Sequence, residues 1–173
     1  MNPRTHPPGT KERGVDLYGT SETTVRDVML RHPKTLPVDA SIMQARAALD
    51  NDHVHLVLLT EGSRLAGTLA RTDLPPPGTI GPALAWSTLM DRTVSPDTPT
   101  AVVYGLLISR GIRRMAVVTA DGSLLGLMCL KQRRTGFCSD ADVAARSRDH
   151  PNQGDVVPTV AGPKSRVRGI RRR

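Results

Sequence analysis

Apolar positions fall into two matching series along the chain. Residues 55–60 and 64–70 form two apolar runs joined by Thr60-Glu61-Gly62-Ser63. Residues 114–119 and 123–130 form two more, joined by Thr119-Ala120-Asp121-Gly122. Runs of this length around a Gly-containing turn predict β-hairpins. Leu56–Leu59 is apolar at every position, which predicts a strand covered on both faces. Ahead of each hairpin, apolar residues return at helical spacing: Ala45, Ala48 and Leu49, then Val103, Leu106 and Leu107. This predicts helices over 41–51 and 99–110, started by Ser41 and Pro99. Short strands are expected at 35–38 and 93–95, and short helical segments at 25–29 and 86–90. A last helix is expected from Ser139, with Asp140 and Asp142 in its first turn and Arg146 and Arg148 in its last.

The two series are copies. Met29 aligns with Met90, and Thr35-Leu36-Pro37-Val38-Asp39 with Thr93-Val94-Ser95-Pro96-Asp97. Leu56–Thr60 aligns with Met115–Thr119, and Leu65-Ala66-Gly67 with Leu124-Leu125-Gly126. The offset runs 61, 58 and then 59. A period near 60 is too long for most solenoids and predicts a duplicated small α/β unit. One such unit is too small to bury its own sheet, whereas two packed sheet to sheet can. The organisation read from the sequence is a disordered arm over 1–22, a first repeat over 23–74, a linker over 75–83, a second repeat with a C-terminal helix over 84–149, and a disordered basic tail over 150–173. The linker, with three prolines at 75–77, is expected to be a stiff polyproline II spacer.

Composition narrows the function. Only Tyr18, Trp86, Tyr104 and Phe137 are aromatic, which argues against folds that stack bases on rings. The net charge of +8 is concentrated at one end: residues 151–173 carry six basic residues against Asp155. That tail, 164–173 above all, reads as a solubilising end or a contact for nucleic acid or an acidic partner. No apolar run reaches the length of a membrane span, and no hydrophobic leader opens the chain, so a cytoplasmic location is expected. Two cysteines do not make a disulfide framework. Cys129 reads as a small core residue, and Cys138 as a loop residue with a reactive thiol as the alternative. His53-x-His55 lacks further ligands at a recognisable spacing, so no metal is expected. No Walker A loop, Gly-x-Gly-x-x-Gly, Gly-x-Ser-x-Gly or Cys-x-x-Cys occurs, and no enzyme is expected.

Residues 23–134 resemble a tandem pair of cystathionine β-synthase (CBS) domains, a Bateman module. The resemblance is carried by Asp27-Val28-Met29 and Ser87-Thr88-Leu89-Met90, by the paired strand starts, and by the segments Leu65–Leu74 and Leu124–Gln132. It implies an α/β fold of two βαββα repeats packed sheet to sheet about a pseudo-twofold axis. It also implies a regulatory, non-catalytic role: an adenosine-containing ligand of the AMP or ATP type bound between the sheets, a homodimer, and an effector protein that reads the result. The alternative is a ligand-free dimerisation scaffold whose basic tail makes the contact.

In the family's nucleotide pattern, Gly is followed by a hydroxyl residue and then by Asp or Asn, at steps of three. A hydroxyl and backbone N–H groups at a helix start hold phosphate, and the carboxylate accepts from ribose hydroxyls. The first repeat has Gly67, Ala70 and Asp73, with Thr72 near the missing hydroxyl. The second has Gly126, Cys129 and Gln132. The resemblance therefore implies a first site of Thr35, Leu36, His55, Leu56, Gly67, Ala70, Arg71, Thr72 and Asp73. The second comprises Thr93, Val94, Met115, Gly126, Cys129, Lys131 and Gln132. Arg71, Arg113, Arg114, Lys131 and Arg133 are candidate phosphate partners. Prolines 75–77 forbid a helix continuing past Asp73.

Overall fold

The computed structural model describes residues 23–149. The expectations for the arm and the basic tail lie outside these residues. Each repeat contributes a three-stranded sheet. The first contains β1 (Thr35–Pro37), β2 (Val57–Glu61) and β3 (Arg64–Leu69), with α2 (Ile42–Asp50) between β1 and β2. The second contains β4 (Thr93–Val94), β5 (Arg114–Val118) and β6 (Leu124–Cys129), with α3 (Thr100–Ser109) between β4 and β5. In both, the first strand runs parallel to the second, and the second antiparallel to the third. A four-residue helix, α1 (Val25–Val28), precedes the first sheet, and α4 (Asp140–Asp149) follows the second.

The middles of β2 and β5 are apolar because each lies between two layers. In β2, Val57 and Leu59 point toward α2 and pack with Ile42, Ala45 and Leu49. Leu58 points the other way and meets Ala116, Leu127 and Cys129 of the second sheet. In β5, Met115 and Val117 pack toward α3 on Val103 and Leu107. The sheets thus form a central interface, with one helix outside each. Both helices bury one residue per turn: Ile42, Ala45 and Leu49 in α2, Thr100, Val103 and Leu107 in α3. Ser41 starts α2 with a capping box: its Oγ accepts from Gln44 N, while Gln44 Oε1 accepts from Ser41 N. Pro99 immediately precedes α3.

Four expectations need correction. The expected alignment of Leu56–Thr60 with Met115–Thr119, at an offset of 59, is one residue out. Strand register matches Leu58 with Ala116, both opposite the first strand, so the copies stay 58 apart through β2 and β5. The slip falls in the hairpins, where Thr60 faces Leu65 but Val118 faces Leu124. The helical segment expected over 86–90 is absent beyond Trp86; a 3-10 turn lies earlier, at Ala83–Trp86. Thr88 is instead extended, and it exchanges backbone hydrogen bonds with Thr68 at 3.0 and 3.1 Å. A helix there would forfeit that pairing. Helix α1 stops at Val28 because Leu30 exchanges two 2.9 Å hydrogen bonds with Leu127. The linker is not a straight spacer. Pro76-Pro77-Gly78-Thr79 makes a type II turn, with Gly78 at φ 86° and Thr79 N donating to Pro76 O.

These pairings exchange segments between the repeats. The stretch ahead of β1 pairs with β6, and the stretch ahead of β4 pairs with β3. Val25 and Met29 complete the α3-side core, while Ala83 completes the α2-side core.

Candidate functional site

Gly67 and Gly126, the glycines that open the nucleotide pattern, lie where the exchanged segments cross the third strands. A Cβ on Gly67 would collide with Ser87 Oγ and stand 2.7 Å from Ser87 Cβ; one on Gly126 would collide with the Leu30 carbonyl oxygen and stand 3.0 Å from Met29 Sδ. Close approach of the Leu30 backbone explains Gly126, and close approach of the Ser87 side chain explains Gly67.

Past Gly67 the chain makes one 3-10 turn, Arg71–Asp73, and ends it at Leu74 ahead of the prolines. This agrees with the expectation that no helix continues there. The Asp73 carboxylate is already engaged. It accepts from Ala70 N at 2.7 Å and pairs with Arg92 at 3.1 Å, both side chains largely buried. Thr72 Oγ1 lies 3.4 Å from the same carboxylate. Arg92 was not visible as a partner in the sequence, because only folding places it beside the end of β3. Thr35 is exposed on β1, and Leu36 packs on the α2-side core.

The second repeat contributes most of an open cleft of about 760 Å³ between the two halves. Its first-repeat wall is Asp52, His53 and His55. The opposite wall is Arg113, Arg114, Cys129, Leu130, Lys131, Gln132, Arg133, Thr135 and Cys138. Of the sequence-derived residues, Cys129, Lys131, Gln132 and His55 meet here, although His55 belongs to the other predicted set. Val94 and Met115 instead face α3 in the core. Thr93 pairs with Ala116 in the sheet, and Leu56 is buried in the inter-sheet cluster. Arg113, Arg114 and Arg133, all candidate phosphate partners, line the cleft too, whereas Asp52, His53, Leu130, Thr135 and Cys138 are lining residues that neither predicted site contained.

The cleft is cationic, and Asp52 is the only carboxylate among its lining residues. Arg71 extends this character: its Nη1 stands 3.3 Å from His55 Nδ1, and its Nη2 donates to the Asn51 carbonyl. Burial and then the charges of Arg114, Arg113 and Arg71 push the His55 imidazole down to about 4, so it is neutral at pH 7. Lys131 is positioned by Asp142 of α4 at 3.2 Å. The Ser139 backbone N–H, and then Lys131, hold the Asp142 carboxyl below its ordinary value. The cations among the lining residues are Arg113, Arg114, Lys131 and Arg133. Among the described residues no group of three or more His, Cys, Asp or Glu is placed to hold a metal, and no helix is long and apolar enough to cross a membrane.

A search of curated protein sequences found no significant match. Solved structures do match. CBSX2 in complex with AMP is 21% identical, with a TM-score of 0.54 over 72% of this chain and 98% of that one. A CBS domain protein from Pyrobaculum aerophilum complexed with AMP is 22% identical, with a TM-score of 0.52 over 73% and 99%. The CBS domain pair of protein MJ0100, complexed with 5′-methylthioadenosine and S-adenosyl-L-methionine, is 18% identical, with a TM-score of 0.51 over 73% and 97%. The CBS domain family model matches residues 25–74 and 86–131, more than half of the sequence. The chain belongs to the CBS-domain family and is a tandem pair of its repeats.

Proposed function

We propose that this chain is a non-catalytic regulatory module that binds a phosphate-bearing adenosine ligand, of the AMP or ATP type, in the cleft between its repeats. The cationic lining carries this reading. Arg113, Arg114, Lys131 and Arg133 offer charge-assisted hydrogen bonds to phosphate, and the neutral His55 borders them without adding charge. Gln132 offers a neutral amide to a ribose hydroxyl where the family's pattern carries a carboxylate. AMP and S-adenosyl-L-methionine in structural relatives support the ligand class.

The ligand acts by favouring one arrangement of the two repeats, which a second copy or an effector protein then reads. Met43 on α2 and Val102 on α3 are 66% and 51% exposed, and they give the outer helices an apolar surface suited to a homodimer. One observation favours the alternative scaffold. Asp73, the single acidic residue in the nucleotide pattern, is occupied by Arg92, and Ala70, Cys129 and Gln132 stand at its other positions. A thermal-shift screen of AMP, ADP, ATP, NADH and S-adenosyl-L-methionine against the full chain separates the two. A rise in Tm with an adenine nucleotide supports the sensor. No shift with any of them at millimolar concentration refutes it and leaves the scaffold.

A further inference from the structure

The segment joining β6 to α4 folds back on itself. Leu130 and Phe137 form an antiparallel bridge, Lys131 N donates to Gly136 O at 2.9 Å, and Cys138 N donates to Cys129 O at 2.7 Å. This pairing sets Cys129 and Cys138 side by side, with their sulfurs 2.7 Å apart. Both are thiols and both are buried, yet both line the cleft through which a small oxidant can approach. The turn they bracket carries Leu130, Lys131, Gln132, Arg133 and Thr135 of the cleft wall. It includes Arg134 in the left-handed region at φ 58°, and Gly136 at φ 131°, which glycine adopts freely, so its backbone shape is a specific one that a tether at its base would hold.

We propose that Cys129 and Cys138 form a redox-active dithiol, whose oxidation to a disulfide staples the cationic wall of the cleft. The backbone pairing already brings the two side chains together, so the bond forms without moving β6 or the start of α4. The oxidant is a peroxide. One sulfur attacks a peroxide oxygen, the O–O bond breaks, and the thiol proton leaves with the other oxygen as water. The sulfenic acid so formed is attacked by the second sulfur. The S–S bond forms, and the hydroxyl leaves with the second thiol proton as another water. The dithiol gives up two electrons, and the peroxide takes them. A dithiol reductant reverses the reaction by exchange.

Closing this short loop restricts the conformations open to Lys131, Gln132 and Arg133. Preorganised cations bind an anion more tightly, so the oxidised form should bind ATP at least about threefold better. This consequence rests on the nucleotide reading above; the disulfide does not.

The test treats the full chain with hydrogen peroxide, unfolds it in the presence of an alkylating reagent, and measures intact mass and peptide linkage. The expected product has lost two hydrogens, carries no alkyl label, and yields a cross-linked peptide joining Cys129 to Cys138. Dithiothreitol should restore both labels, while C129A and C138A should each give no internal cross-link. Sulfinic acids, or disulfides between chains without the internal one, would overturn the proposal. Calorimetry with ATP then compares the two redox forms. Equal affinities overturn the stapling of the wall. Failure of both forms to bind ATP overturns the nucleotide reading, while the mass data still decide the dithiol.

Discussion

Adding one methyl group at Gly126 tests the exchanged architecture. The new Cβ would overlap the Leu30 carbonyl oxygen, which is backbone, and would press on Met29 Sδ at 3.0 Å and Cγ at 3.2 Å. Leu30 must move, and the two hydrogen bonds it exchanges with Leu127 weaken or break. Each is worth about 1 kcal/mol. Leu30 and Met29 are 7% and 8% exposed, and partial loss of their burial adds about 1–2 kcal/mol. G126A should therefore destabilise the fold by about 3–4 kcal/mol. G67A makes a different collision, with the side chain of Ser87. Its cost, about 1–3 kcal/mol of overpacking, should be largely recovered in G67A/S87G, where the nearest of the remaining neighbours is Leu84 Cδ1 at 3.3 Å. No such relief is available to G126A/M29A, because the Leu30 carbonyl stays in place. Urea unfolding followed by circular dichroism gives these values, provided m is unchanged. The reasoning is refuted if G126A lies within about 1 kcal/mol of wild type, or if M29A rescues G126A as well as S87G rescues G67A.

Three further outcomes are expected. His55 has a pKa lowered to about 4 in the fold against 6.5 unfolded, so the unfolded chain binds more protons between those values, and stability falls as pH drops from 6.5 towards 4. His55 is only half-buried and faces solvent in the cleft, so the loss is set at about 1 kcal/mol, and H55N should flatten that part of the stability–pH curve. D73A removes both the Arg92 partner and the acceptor for Ala70 N, and should cost about 2–3 kcal/mol in urea unfolding; D73A/R92M should cost less than D73A alone, since no buried charge is stranded. M43D/V102D should shift the species seen by sedimentation velocity from dimer to monomer without lowering Tm by more than a few degrees, and a wild-type monomer would remove the dimer reading.

Local pattern carried the parts of the fold that are themselves local. Leu56–Leu59 read as a doubly covered strand because every residue along it faces a packed layer. Ser41 read as a helix start because helix capping is a short-range device, and the structure adds Gln44 as its reciprocal partner. The exchanged segments were not legible: Leu30 with Leu127 and Thr88 with Thr68 are pairings between residues far apart in sequence, and 86–90 has an apolar pattern that also fits a helix. Gly67 and Gly126 were read by resemblance as part of a ligand motif; in the structure they also make room for the crossing segments, Gly67 for the Ser87 side chain and Gly126 for the Leu30 backbone. The cleft was half legible. Lys131, Gln132 and the arginine candidates stood out by charge and position, but Asp52 and Thr135 join the lining only through folding, and the Arg92 partner of Asp73 is set by the same long-range contacts.

Calorimetric titration of ATP into wild type, R113A/R133A and R92M tests the central claim most directly. The account places the phosphates in the cationic cleft. It predicts a weakening of at least about tenfold in R113A/R133A, from the loss of two charge-assisted contacts, and near wild-type affinity in R92M, since Arg92 serves Asp73 outside the cleft lining. Unchanged affinity in R113A/R133A, or a loss confined to R92M, would contradict it.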